Sequence, residues 1–419
     1  MTRKIRVFAD DRGAVLVHVA LAVLVIVAFT TFVADYGVLW ASRRQAQNSA
    51  DAGAMAGAVA LAYDDATNLT STGAAKESAF AATQANLVWG QAPSVVPATD
   101  ITFLCPSCAS LCPDGSDAIC VKVDVYRTLA RDNPLPMFFG HLVGLTSQNI
   151  QATATAKVSL ANSTDCLKPW GVIDKWAEHY PVNPAQWTVL STFDKYDKQG
   201  NLDPAITTPD EYIPPTTTSF GTGFHPKDAN GVYTSDYGLQ LNLKLGSKND
   251  FNYATGWFAA LSLFDSMGGN DYRDDIKHCV GTTYTIGDEL PIQTQPGQLV
   301  GPTAQGVEQD ADSLVNQDPG AYWDPTLVGG RGGVAGSAFA TSPRIVPIPL
   351  VDPDIMASVN KGGRTTVPIS NIMGFFVEGY DHTTKSVTGR LMQMPGFLSN
   401  GSGGPVPPGT FLQTIVLIR

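Results

Sequence analysis

A chain of 419 residues is long enough to bury a substantial core and to hold two folded lobes. Its formal net charge is −11 and only 16% of its residues are charged, which argues against nucleic-acid binding. Glycine (40) and proline (28) are enriched but stop short of a low-complexity composition, so a folded, loop-rich α+β protein is expected.

Residues 1–13 form a short basic start, with Arg3, Lys4, Arg6 and Arg12 partly offset by Asp10 and Asp11. Residues 14–34, Ala14 to Ala34, are a run of 21 mostly apolar residues. At ~1.5 Å per residue a helix of that length crosses the ~30 Å hydrocarbon core of a bilayer. Only Arg43 and Arg44 follow closely, and acidic residues weigh little in orientation, so a cytoplasmic N-terminus and an exported body are expected. The competing reading is a cleaved signal peptide, which needs a shorter apolar core and a small-residue cleavage site. Here Asp35-Tyr36-Gly37 continues into helix-favouring sequence, which favours a retained anchor.

Past the span, Ala46, Ala50, Ala54, Ala58 and Ala62 recur every four residues, with Gly53 and Gly57 in a parallel row. Such rows lie along one helix face, and small residues let another backbone approach closely. The seam suits packing against the chain's own domain, or lateral docking of helices from other subunits onto Ala46, Ala50, Gly53, Ala54, Gly57 and Ala58.

Several blocks in this region occur in a set order: Arg12-Gly13-Ala14-Val15-Leu16-Val17, Asp35-Tyr36-Gly37, then residues 43–54 with their Gln-Asn-x-Ala-Asp core. Together they resemble the N-terminal Tad domain, the TadE/TadG-like module of Flp (tight adherence) pilus-assembly proteins, over roughly Asp10 to Ala62. A weaker echo lies in Pro134-Leu135-Pro136-Met137-Phe138-Phe139-Gly140 and in Ile150 to Val158, similar to the end of such membrane-proximal domains. The resemblance implies an inner-membrane, single-pass, non-enzymatic component of the pilus machinery with an extracytoplasmic body. Pilin-like relatives are cut after a glycine and carry glutamate five residues beyond the cut. Taking Gly13 as that glycine puts His18 at the fifth place, which argues against prepilin processing and leaves His18 a polar residue near the membrane interface. The Asp-x-Ser-x-Ser metal motif of relatives with a von Willebrand A domain is absent from the sequence, Asp265-Ser266-Met267-Gly268 being too partial to count.

Residues 35–160 are expected to pair the long helix with a small α/β lobe. Gly73 to Trp89 reads as a second helix with Phe80, Ala81, Leu87 and Val88 buried. Val121, Val123 and Val125 alternate with polar neighbours as in a half-buried strand, and Ala152 to Val158 would close the lobe. Six cysteines stand at 105, 108, 112, 120, 166 and 279. An exported body would pair them as disulfides; Cys105 to Cys120 could instead hold zinc, although the spacing fits no standard site. The sequence leaves the connectivity open, with Cys166 pairing Cys279 by elimination.

Residues 165–419 are expected to be a β-rich exported domain. Leu239, Leu241, Leu243 and Leu245 alternate with polar residues. Arg344 to Val351 is apolar, but its prolines would confine it to an edge. Gly374 to Tyr380 and Val387 to Met392 suggest a hairpin, and Phe411 to Ile418 a terminal strand. Thr303 to Asn316 reads as the one good helix here, anchored by Val307, Ala311, Leu314 and Val315. Trp170, Trp176, Trp187, Trp257 and Trp323 would seed its core. The glycine-dense Gly329 to Gly333 reads as a mobile loop.

The motifs of metalloproteases, serine hydrolases, P-loop proteins and dinucleotide-binding proteins are missing, so no catalytic residue, cofactor or metal ligand is assigned. The oxygen-rich Asp194, Asp197, Gly200, Asn201, Asp203 stretch is the one candidate calcium loop. Asp271, Asp274 and Asp275 around Arg273 read as a solvated surface or ion pair. Two other roles fit the same anchor: a processed minor pilin-like subunit, or an extracytoplasmic hydrolase or carbohydrate-binding protein. A polar cleft with converging carboxylates in 165–419 would favour the latter.

Overall fold

The computed structural model of the protein describes residues 11–63, 69, 73–105, 108, 110–114, 119–181, 186–229, 231–247, 250–263, 268–279, 281–293, 296–339, 341–361, 365–397 and 406–418. The basic start at Arg3, Lys4 and Arg6, and the Asp265-Ser266-Met267 stretch, lie outside them. The chain divides into two compact units, one of residues 1–61, 66–157 and 416–419, the other of 62–65 and 158–415.

The first unit is organised on α1 (Asp11–Tyr63), an unbroken helix of 53 residues. It contains no proline and is rich in alanine, the strongest helix former, so no breaker in its sequence stops it. From Val15 to Val33 its apolar side chains are exposed nearly all round, and the run is long and apolar enough to cross a membrane. From Asp35 onward a buried stripe sets in through Ser42, Ala46, Ser49, Ala50, Gly53, Ala54, Gly57 and Ala58 at three- and four-residue spacing.

Against that stripe pack α2 (Ala74–Ala85) and three antiparallel strands of a five-stranded sheet, β1 (Ile101–Leu104), β2 (Cys120–Arg127) and β3 (Ile150–Leu160). β2 lies between the other two, with Val123 opposite Ile101 and Ala154. Val121, Val123 and Val125 are fully buried, as their alternation predicts. The second helix is shorter than expected and turns a different face inward. Ala75, Lys76, Ala79 and Thr83 are buried, whereas Ala81 and Leu87 are exposed and Val88 is buried beyond the helix end. The reason lies in α1. A Cβ on Gly53 would stand 2.4 Å from Thr83 Cγ2, and one on Gly57 3.2 Å from Ala79 Cβ, so only small side chains of α2 fit the approach. Gly53→Val should therefore overpack this contact and destabilise the first unit by about 2 kcal/mol, read as a lower thermal midpoint with the secondary structure retained.

The second unit is built on a closed barrel of β4 (Trp170–Ile173), β5 (Gln240–Leu245), β6 (Trp257–Ala260), β7 (Ile345–Val351), β8 (Asn371–Asp381) and β9 (Ser386–Met392), in the order β6-β4-β7-β8-β9-β5. The predicted hairpin is β8 and β9, and the leucine strand is β5. One cluster takes alternate residues from all six strands, among them Val172, Leu243, Phe258, Ile348, Phe375 and Leu391, as a barrel interior requires. Ile173, Trp257, Ala259, Val351 and Ile372 point the other way into a second cluster with Trp176, Tyr253 and Met356. Strands buried on both faces explain the continuous apolar runs.

β7 is not the edge strand its prolines suggested: it pairs with β8 on one side and β4 on the other. Val346, Ile348 and Leu350 turn their backbone groups to β8. Pro347 carries its carbonyl toward the β4 side, where it accepts the Lys168 N–H at 2.9 Å. Pro349 has the same parity, so both missing N–H groups fall where pairing with β4 is confined to Leu350 and Val351. Thr303 to Asn316 is likewise not one helix. A turn of α-helix at Val300–Ala304 gives way to a π-helical turn at Gln305–Gln309, and a new turn begins at Leu314–Gln317. Val307 and Leu314 are buried as expected, but Ala311 is exposed. At the break, Asp310 (3.2 Å) and Asp312 (3.1 Å) pair with Lys277. Two further helices, α3 (Gly269–Lys277) and α4 (Pro353–Asn360), escaped the sequence reading; α4 is capped by Asp352, which accepts from the N–H groups of Asp354 and Ile355.

Gly329 to Gly333 forms a tight turn rather than an open loop. Val328, Gly329, Gly330 and Gly332 take left-handed φ, and a Cβ on Gly332 would meet Trp323 Nε1 at 2.4 Å.

Candidate functional site

A set of specific polar contacts lies along α1, where the helix leaves its apolar run. Asp35 is 6% exposed, and its carboxylate accepts three backbone N–H bonds: from Phe138 to Oδ1 (2.9 Å), Phe139 to Oδ2 (3.1 Å) and Gly140 to Oδ2 (2.7 Å). A charged acceptor facing converging amides is a strong, directional clasp. Further along, Gln45 Oε1 accepts the Trp89 N–H (2.7 Å), Gln47 Nε2 donates to the Thr153 carbonyl (3.1 Å) and Ser49 Oγ donates to the Thr83 carbonyl (3.1 Å). Gln47 is steadied by Asp51 at 2.8 Å. The polar residues of the helix thus grip the backbone of the lobe, while the small ones let α2 and β2 close in.

This corrects the docking expectation for Ala46, Ala50, Gly53, Ala54, Gly57 and Ala58. The seam is filled by the chain's own Ala75, Ala79, Thr83, Val121 and Val123, so no face of it is left for a helix from another subunit. Spacing alone announced a close approach and could not say by what.

The six cysteines form three disulfides, Cys105–Cys108, Cys112–Cys120 and Cys166–Cys279, which removes the zinc alternative and matches the pairing left by elimination.

Residues 13–60 match the Tad family model, described as Putative Flp pilus-assembly TadE/G-like. The matched segment covers most of α1, including the apolar run, Asp35 and the Gln45–Asp51 block. Neither the curated proteins nor the solved structures compared with the chain give a match.

Outside the Tad segment, the oxygen-rich loop does not gather as its spacing suggested. Asp197 Oδ1 accepts from the N–H groups of Gln199 and Asn201 in its own turn, and Asp203 accepts from Ala205. Asp194 instead lies with Glu178 and Asp210, the three carboxylates offering oxygens within 4.8 Å of one another. Asp210 takes the backbone N–H groups of His179 (2.7 Å), Tyr180 (3.1 Å) and Asp194 (2.7 Å); Glu178 takes Trp176 Nε1 (3.1 Å). Burial raises the pKa of Glu178 and Asp194, and the neighbouring carboxylates add to it. The trio's oxygens thus accept from donors of the protein's own chain.

Glu178 also lines a cleft of about 590 Å³ with Lys175, Trp176, His179, Trp187 and Asp236. Lys175 Nζ is 2.7 Å from Asp236 and 5.0 Å above the Trp187 ring, so both charges are already paired. Arg273 lies 3.7 Å from Asp274, one of the carboxylates the sequence placed around it, and 3.4 Å from Asp310, which the sequence reading did not name.

Behind the cleft Asp174 is fully buried and accepts from Lys175 N–H (2.8 Å), Phe224 N–H (2.8 Å) and Tyr212 Oη (2.9 Å). Burial outweighs these bonds and pushes its carboxyl up to about 7. The folded state then keeps a proton that the unfolded chain releases near pH 4, so this group makes stability fall as pH rises from about 4 to about 7. Asp174→Asn cannot titrate and should lose that part of the fall, seen as a smaller drop in thermal midpoint between pH 4.5 and 7.5 than in the unmodified protein.

Proposed function

We propose that the protein is a single-pass, non-enzymatic, membrane-anchored component of Flp/Tad-type pilus assembly. The observation that carries this reading is the coincidence of the Tad match at residues 13–60 with a helix whose first half is apolar and uncovered. In this reading residues 14–34 cross the inner membrane from a cytoplasmic N-terminus, residues 35–160 form a membrane-proximal lobe, and residues 165–419 form an exported domain. The three disulfides support an oxidising location for the body. The acidic second unit would offer the surface for docking other subunits or for adhesion, since the α1 seam is closed. Clasping the lobe directly to the spanning helix would let the anchor set its position rigidly.

The test joins phenotype to protein chemistry. Loss of the chain should abolish Flp pili counted by electron microscopy, and the protein recovered from membranes should carry its N-terminus uncleaved. A mature chain starting at Ala14 and found in sheared fibres would move the assignment to a minor pilin. Pili present in normal number without the chain would end the pilus reading altogether.

A further inference from the structure

The clasp at Asp35 fixes more than the fold of the lobe. It holds the backbone of residues 138–140 against the helix at the level where the 21-residue apolar run ends. The side chains carried by that loop are apolar and open: Phe138 is 55% exposed, Phe139 43% and, past the turn, Leu145 56%. Aromatic residues of α1 share this level. Tyr36 and Trp40 are about half exposed, and Trp40 lies only five residues, about 7.5 Å of helix, beyond Asp35. The Arg44 guanidinium sits 4.4 Å over the Trp40 ring, the pairing of an aromatic at the headgroup level with a cation reaching for water.

We infer that the Phe138-Phe139 loop and Leu145, with Tyr36 and Trp40, form a membrane-seated apron that rests the lobe in the bilayer interface. Exposed apolar groups of this size call for a cover. The cover that the structure identifies is lipid, because Phe29, Phe32 and Val33, on the same helix just before Asp35, are exposed and belong to the spanning run. A bilayer that covers those residues meets Phe138 and Phe139 in the next turn, since three hydrogen bonds hold their backbone there. The Asp35 oxygens are met by those amides, so they are not left without donors at this level. The anchor therefore has two elements, a span and a seated loop, and the seated loop removes the freedom of the lobe to swing about the helix.

This inference rests on the reading of residues 14–34 as a membrane span, and its test separates the two. The full chain, reconstituted in vesicles of phosphatidylethanolamine and phosphatidylglycerol, would carry one added cysteine at a time: Val25→Cys, Met55→Cys, Phe139→Cys or Leu145→Cys. The six native cysteines are paired, so the new thiol takes an environment-sensitive fluorophore. Lipids spin-labelled near the headgroup should quench the label at 139 and at 145 several-fold more strongly than the label at Met55, which stands twenty residues, about 30 Å, further along α1. Aqueous iodide should quench only the label at 55. Free access of iodide to 139 and 145 overturns the apron. Protection from both quenchers also overturns it, because a polypeptide would then be the cover. A label at Val25 that deep spin-labelled lipid fails to quench would instead sink the span itself.

Discussion

Replacing Cys166 and Cys279 together by serine is expected to lower the stability of the second unit by roughly 5 kcal/mol. The bond closes a loop of 113 residues, and on the chain-entropy account a loop of that size restricts the unfolded chain by about that amount. The folded state adds a local reason. Two residues from Cys166, the buried Lys168 donates through Nζ to the carbonyls of Asp275 (3.1 Å) and His278 (2.9 Å) at the end of α3. Cutting the disulfide frees the segment that holds those acceptors. Urea unfolding of the full chain in detergent, followed by tryptophan fluorescence, would read the loss, because five of the seven tryptophans lie in residues 165–419. The matching pair Cys112→Ser and Cys120→Ser opens a separation of only 8 residues and should cost about half as much. Equal losses from the two pairs would show that loop closure is not the source of the stabilisation.

Asp35→Ala should destabilise the first unit by about 4 kcal/mol, since it strands three amides that face a buried carboxylate. Asp35→Asn keeps one oxygen as acceptor but turns an NH2 toward the remaining donors, so about half the loss is expected. Hydrogen exchange resolved by mass spectrometry should show the amides of residues 138–140 exchanging faster in both variants, with the barrel of the second unit unchanged. Slow exchange at 138–140 in Asp35→Ala would mean that something other than the clasp holds the loop.

The two halves of that clasp were both visible in the sequence, as Asp35-Tyr36-Gly37 and as Pro134 to Gly140, yet nothing in either says that they meet. About a hundred residues separate them, and periodicity carries no information about contacts at that range. Local patterns succeeded where one face of an element is wet: Val121 to Val125, Leu241 to Leu245 and β9 were all legible. They misplaced one strand that is buried on both faces, although β8, buried alike, was legible as half of a hairpin. Ile345 to Val351 offers no alternation, and its prolines point to an edge unless the side on which their N–H groups would fall is known. The small-residue seam announced a close approach but not its partner. The break near Asp310, where that carboxylate pairs with Lys277 of another helix, likewise left no local pattern. The three carboxylates that do converge, Glu178, Asp194 and Asp210, are scattered over 33 positions and share no motif.

The central claim is that residues 14–34 span a membrane and present the rest of the chain outside the cytoplasm. Alkaline phosphatase fused after Arg419 of the full chain tests it most directly, because that enzyme gains activity only where disulfides form. The account predicts high phosphatase activity in whole cells that is lost when residues 14–34 are deleted. An inactive fusion of the intact, membrane-bound chain would place the body in the cytoplasm and contradict the account.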